Sequence, residues 1–384
     1  MIRRVLALVL VALFVPRAAP GMPAPGAARA FGPERNGAGF ANANRPHRFV
    51  FPRDHGSHPA FQTEWWYFTG HLLTRDGRRF GYELTFFRFG LRPGDPRPLA
   101  TQSRWRGNEL FPAHFAITDE RGGTFFHTEK FTREAIGIGG AATDRLAVHA
   151  EDWTLAGTPL GDRRKERMRL LASAAPNAID LEQLPLKPPA VHGHDGVSRK
   201  AACSTCASHY YSYTRLQTTG TLLFDGVRYP VRGLSWMDHE FGSSELQADQ
   251  AGWDWYAIQL DDGRELMLYL LRRKDGSAVP ESSGSLIERD GTVRYLPHEA
   301  FVARATGSWT SPVTHGVYPS GWHLDVPSAG LSVDVVPTIP NQELAFTSGT
   351  ISYWEGSVDI RAVGGRSVGT GYVELTGYAG IVSL

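Results

Sequence analysis

The chain reads as an all-β protein made of two small antiparallel barrels in tandem, on three observations. First, five Asp-Gly dipeptides (Asp76-Gly77, Asp225-Gly226, Asp262-Gly263, Asp275-Gly276 and Asp290-Gly291) sit between apolar, aromatic-rich runs. Asp-Gly in that setting is the strongest short-range hairpin signal, because tight hairpin turns need positive φ. Second, 11% aromatics and 42 glycines among 384 residues favour pleated strands and sharp turns over helices. Third, "EWWYFTGHLLTRDGRR" (64–79) is echoed by "WDWYAIQLDDGRELMLYLLR" (253–272). Both run Trp-Tyr, apolar strand, Asp-Gly-Arg, second apolar strand. A duplicated opening predicts two units, 61–245 and 246–384, each the length of one small barrel. The arms around Asp76-Gly77 are about ten residues each, long for an open sheet but natural for a closed one. Only 131–136 and 295–304 read as short helix candidates.

The segments outside the barrels follow in order. Arg3 and Arg4 precede an apolar run from Val5 to Val15, and "AARA" ends at Ala30. This is the layout of a secretory signal over 1–30, with an apolar run too short to cross a bilayer. It predicts an exported chain, periplasmic or extracellular after cleavage. Residues 31–60 read as a polar, extended leader. About 350 residues remain after the signal, more than one core usually organises. Lys+Arg number 40 against 39 Asp+Glu. That balance offers no basic surface for nucleic acid and no polybasic block for anionic lipid.

Residues 183–207 are rich in Pro, Gly and Lys and interrupt the first unit as an irregular insert. They carry the only cysteines, Cys203 and Cys206. Their spacing fits a local disulfide, a redox pair, half of a metal site with the nearby His192 and His194, or no special role.

Chemistry concentrates in three strands. In 64–69, Glu64, Trp66 and Phe68 share one face and Trp65, Tyr67 and Thr69 the other. Neither face is polar, so both should be covered, as when one barrel wall packs on a second barrel. Glu64 then loses water and its pKa should rise unless a cation such as Arg88 pairs with it. In "GLSWMDHEFGSSEL" (233–246), Trp236, Asp238 and Glu240 point one way, and Met237, His239 and Phe241 the other. Adjacent strand residues point apart, so Asp238 and His239 do not share one metal ion, and no metal site is expected there. In "GWDWYAIQL", Asp254 and Tyr256 share a face opposite Trp253 and Trp255. A carboxylic acid among rings is equipped to protonate an alkene and shelter the cation formed. The same rings also suit ordinary barrel core. No phosphate-cradling glycine loop or His-Glu-x-x-His occurs.

Five motifs in order, "HPAFQTEWWYFTGHL" (58–72), "SHYYSYTRL" (208–216), "GLSWMDHEFGSS" (233–244), "GWDWYAIQLDDGRELMLYLLR" (252–272) and "GTGYVELTGY" (369–378), resemble the AttH/CrtC-like family. Its members are labelled carotenoid 1,2-hydratases or predicted secreted hydrolases. The resemblance spans about 45–384 and implies two lipocalin-like barrels in tandem. It implies hydration of a terminal C=C bond of an isoprenoid or other apolar lipid, without a cofactor. Partnership with an ABC transporter is implied on the AttH side, where a non-enzymatic carrier whose barrel interior holds an apolar lipid is the alternative to an enzyme. By motif position it implies Asp238 as the acid, His239 positioning water or a proton partner, and Asp254 as reserve acid. Trp236, Trp255 and Tyr256 would form cation-stabilising walls, with Trp66 and Glu64 also lining the ligand space.

Overall fold

The structure, a computed structural model, describes residues 39–94, 107–161, 166–243, 246–346 and 351–380. The expected signal segment lies outside these residues. Most of the described chain belongs to two large antiparallel sheets. In the first, strand Thr63–Thr74 sits between its hairpin partner Arg79–Gly90 and the late strand Val227–Gly242. Glu109–Asp119 and Thr124–Arg133 extend the sheet on the hairpin side. On the other side follow Ala207–Phe224, Asn177–Pro185, Glu166–Ala174, Trp153–Pro159, Ala147–Ala150 and Gly139–Ala141. The two outer ends pack against each other and curl the sheet into a near-closed barrel.

The second sheet repeats this plan. Gln250–Leu260 lies between Glu265–Arg273 and Ser367–Thr376, with Tyr353–Ala362 beyond the latter. The expected fold class of tandem antiparallel barrels is what the chain adopts. Each sheet wraps its own apolar core. Trp66, Phe68, Phe86, Phe115 and Leu170 belong to the first, and Tyr256, Ile258, Leu324, Trp354 and Val373 to the second.

The helix candidates resolve differently. Residues 131–136 divide between strand Thr124–Arg133 and one 3-10 turn at Ala135–Gly137. Residues 295–304 divide between two strands and the 3-10 turn His298–Ala300. In both places ladder pairing on either side leaves room for a single turn, too short to repay helix nucleation.

The echoed hairpins occupy matching positions, yet their Trp-Tyr pairs do not. Trp66 lies ten residues before Asp76, whereas Trp255 lies seven before Asp262. An odd difference flips a side chain to the other face of a strand. Trp66 therefore enters the core of its barrel, and Trp255 leaves its barrel to meet the other sheet.

The outer faces of the two sheets pack together through Tyr67, Trp236, Trp255, Met267 and Tyr372. At the closest approach, a Cβ on Gly81 would lie 2.3 Å from the Tyr372 hydroxyl, so only glycine fits. Residues 39–60 are irregular, but they are not a free leader. They bury Asp54, His55, Ser57 and His58 against the first barrel. The 183–207 insert adds two short strands, Ala190–Val191 and Ser198–Arg199, to Ala207–Phe224. It also reaches the second sheet, where Lys187 Nζ donates to Glu265 Oε2 at 2.7 Å. Cys203 and Cys206 are joined by a disulfide within it.

Candidate functional site

The ligand-sized space lies between the barrels and not inside either one. This corrects the expectation of a barrel interior as container, and the reason is packing: large side chains fill both interiors. The cleft encloses about 1030 Å³ of non-atom space, part of it open to solvent. Trp65, Tyr67, Phe87 and Phe89 of the first sheet face Trp253, Trp255, Tyr269, Leu271 and Tyr353 of the second. Its polar groups are few: Asp238, Glu240, Glu374, Tyr210, His114 and Lys200, with Thr63, Thr85 and Thr376. An apolar cleft with a handful of convergent polar groups is the usual form of a small-molecule site.

Asp238 reaches this cleft because it lies on the outward face of Val227–Gly242 with Trp236 and Glu240. Tyr210 donates to its Oδ2 at 2.6 Å and Trp236 Nε1 to its Oδ1 at 2.5 Å, and the Ser212 hydroxyl donates to Oδ1 as well. Ser212 is itself 2.7 Å from His192 Nε2, whose other nitrogen is 2.9 Å from Ser285. Burial pushes the Asp238 carboxyl up to about 7, against the lowering effect of its three donors. Trp255 Nε1 donates to the Tyr210 hydroxyl at 3.1 Å, which brings Trp236 and Trp255 round the acid.

More carboxyl groups gather along the same inter-sheet face. Glu374 stands opposite Glu355 on neighbouring strands. Burial raises Glu374 to about 7 and Glu83 to about 8, and carries Glu355 well above the carboxylate range. Tyr67 donates to Glu355 Oε1 at 2.7 Å, while Glu355 Oε2 and Glu83 Oε2 are buried without a hydrogen-bond partner. Such groups stay buried by holding a proton.

Glu64, His239 and Trp66 belong to the opposite face, inside the first barrel, so the structure separates them from Asp238. Glu64 is fully buried. It is held by Arg88 Nε at 2.8 Å, His58 Nδ1 at 2.8 Å and His239 Nε2 at 2.9 Å. Burial alone would raise its pKa; His58, His239 and Arg88 instead hold it well below the usual range. Arg88 is thus the cation the sequence suggested. It also pairs with Glu109 at 2.8 Å. His58, Glu64 and His239 bring one donor atom each within 4.8 Å, a metal-ligand combination among the described residues. Each of those atoms is already in a hydrogen bond of 2.8 or 2.9 Å, and Arg88 occupies the other carboxylate oxygen. The group closes as an ion-pair network. Trp66 stacks on His239 at 4.8 Å and is core.

Asp254 and Tyr256 are likewise removed from the cleft, because they face the interior of the second barrel. Arg272 Nε donates to Asp254 at 2.8 Å and Tyr378 at 3.0 Å. Tyr256 packs edge-on to Trp322. Of the eight residues singled out from sequence for catalysis or ligand contact, Asp238, Trp236 and Trp255 come together. The tyrosine on Asp238 and the acid on the facing wall, Tyr210 and Glu374, were not singled out. Glu374 falls in the motif "GTGYVELTGY" and Tyr210 in "SHYYSYTRL"; pairing across the sheets is what gives either a role.

The AttH-like family pattern matches residues 42–378. No curated protein sequence matches the chain. Among solved structures, the AttH-type protein NE1406 of Nitrosomonas europaea is similar at 31% identity, with a TM-score of 0.77 over 88% of this chain and 100% of that one. Kievitone hydratase of Nectria haematococca is similar at 12% identity, TM-score 0.63, over 91% and 98%. CghA with Sch210972 is similar at 13% identity, TM-score 0.50, over 91% and 99%. At those lower identities the likeness concerns the fold alone. With the family pattern spanning nearly every described strand, and the NE1406 fold shared from end to end, the chain belongs to the AttH-like family.

Proposed function

We propose that the protein is a hydratase (a hydro-lyase) that adds water across a C=C bond of an apolar substrate, an isoprenoid or related lipid, held between the two barrels. The observation that carries this is Asp238. It is a carboxyl on the wall of an aromatic cleft, pushed up to about 7, with three donors ready to stabilise the anion left after proton transfer. An acid tuned near the working pH serves proton transfer best. The rings of Trp236, Trp255 and Tyr210 then lie where a carbocation would form, and aromatic faces attract positive charge. Kievitone hydratase shares the fold and is named for a hydration, which makes that reaction class a natural candidate. Terminal-bond and carotenoid specificity, export to the periplasm or beyond, and work without a cofactor belong to the same proposal.

The test is turnover of acyclic isoprenoids such as lycopene and squalene in water labelled with ¹⁸O. Asp238→Asn should lower kcat by about 10²- to 10⁴-fold while fold and probe uptake persist. Uptake without any turnover by the unsubstituted protein would instead support a carrier working with an ABC transporter, since an apolar cleft holds a lipid with or without chemistry.

A further inference from the structure

We propose that Glu374 is the catalytic partner of Asp238, the base that takes a proton from the attacking water while Asp238 delivers one to the alkene. This rests on the hydration reading above and adds a second reacting group to it. Asp238 belongs to the first sheet and Glu374 to the second, and both line the one cleft. Glu374 is half-buried, its strand face turned toward the first sheet with Tyr372 and Thr376.

Its distance from the acid is set by the register. Glu374 lies directly opposite Trp255 on the adjacent strand. Side chains of such a pair project to one side, about 5 Å apart at Cβ. Trp255 donates to Tyr210 at 3.1 Å, and Tyr210 donates to Asp238 at 2.6 Å. One indole and one phenol therefore stand between the two carboxyl groups along the cleft wall, and in the proposed reaction the open side takes a water and a double bond.

The two acids differ in the groups that support their anions. Three donors await the Asp238 anion, which strengthens Asp238 as an acid. Glu374 has the Trp253 indole as donor and feels the charges of Asp238 and Glu240, so its anion is less supported once formed. Burial brings both to about 7, with the charge of Asp238 contributing to the shift at Glu374. Near neutral pH the pair holds about one proton between them, and the reactive form is the one with that proton on Asp238 and Glu374 ionised.

The step balances. The O–H bond of Asp238 breaks and its proton joins one alkene carbon through the π electrons. The water oxygen bonds to the other carbon, and the proton it sheds goes to Glu374. Asp238 ends ionised and Glu374 protonated; a cleft water carries the proton back. No oxidant, reductant or further reagent enters.

The test uses the full chain with lycopene and squalene as probes over a range of pH. Besides each other, Glu374 and Asp238 face Glu355, Glu83 and Tyr67, and Glu240 with its partner Lys200. The unsubstituted protein should show a bell-shaped profile. Glu374→Gln should lower kcat about a hundredfold or more and remove the acid-side limb, while Glu374→Asp should retain that limb. Asp238→Asn should remove the alkaline limb. A bell kept in Glu374→Gln, or a loss below about threefold, would overturn the assignment and leave hydration standing. Infrared titration of the protonated carboxyl band needs no substrate: in Glu374→Gln the Asp238 midpoint should move down, and an unmoved midpoint overturns the pairing. If neither probe is hydrated by the unsubstituted protein, the hydratase reading fails and the base role with it, even where the titration finds the two groups coupled.

Discussion

Asp238 and His239 are consecutive residues of one strand, and they live in different electrostatic worlds. His239 points into the first barrel and joins Glu64, a buried carboxyl met by two imidazoles and a guanidinium. Asp238 points into the cleft, where a carboxyl of the same kind is met by hydroxyls and an indole and, among the described residues, by no cation within bonding distance. Burial penalises both anions. Cations reverse that penalty at Glu64 and leave it standing at Asp238, so one acid is ionised and structural while the other is poised to exchange a proton. Burial by itself therefore does not mark a functional acid. The identity of its partners does.

The sharpest way to break this contrast is to remove the cation. Arg88→Leu strands Glu64 and Glu109 in the interior and should cost about 3–5 kcal/mol of stability, read by urea unfolding, because uncompensated buried charge is expensive. Asp238→Asn should change stability by less than about 1 kcal/mol in the same assay, since it replaces a neutral acid by a neutral amide. If both variants unfold alike, the two faces do not differ as described.

A second contrast is in pH. Asp238 and Glu374 titrate near 7 and Glu83 near 8 in the folded protein, above their unfolded values. Each raised acid contributes stability that is fully present below its unfolded pKa and lost as pH rises through the folded one. Buried His55, His114 and His192, lowered to about 3, act oppositely below pH 6.5 and mask the trend there. Stability should accordingly fall between about pH 6.5 and 8, by about 1.4 kcal/mol per pH unit for each proton released. Glu83→Gln should flatten that slope by about one proton. Glu64 is depressed, so its contribution is held above its unfolded pKa and lost only as pH falls below that value toward the folded one.

Smaller effects separate the two barrels. Asp254→Asn loses the Arg272 pair inside the second barrel and should cost about 1–3 kcal/mol in unfolding, with turnover changed only a few-fold. Tyr67→Phe removes the single hydroxyl on Glu355 and should cost about 1 kcal/mol, with a slight rise in the Glu355 midpoint by infrared titration.

Much of this was legible beforehand. Alternation placed Trp236, Asp238 and Glu240 on one face and His239 on the other, and Arg88 was identified as the partner of Glu64. What escaped reading has one physical source. Alternation says that two residues share a face but not which space that face meets. Tyr256 was grouped with Trp255 as a cation-stabilising wall and Asp254 held as reserve acid, although the strand turns both away from Trp255 into the second core. The Trp-Tyr echo looked like an equivalent pair, although an odd spacing difference reverses its faces.

The amino-acid sequence by itself determined the β architecture, the duplication and the pairing of residues by face, because turn chemistry and a two-residue period are local properties of a chain. Only the tertiary structure decided that the ligand-sized space lies between the sheets, that Tyr210 and Glu374 border it, and that Glu64 is neutralised while Asp238 is not. Those outcomes depend on which faces of two separately wrapped sheets come together and on the distances across that contact, and neither is written in the spacing of residues along one strand.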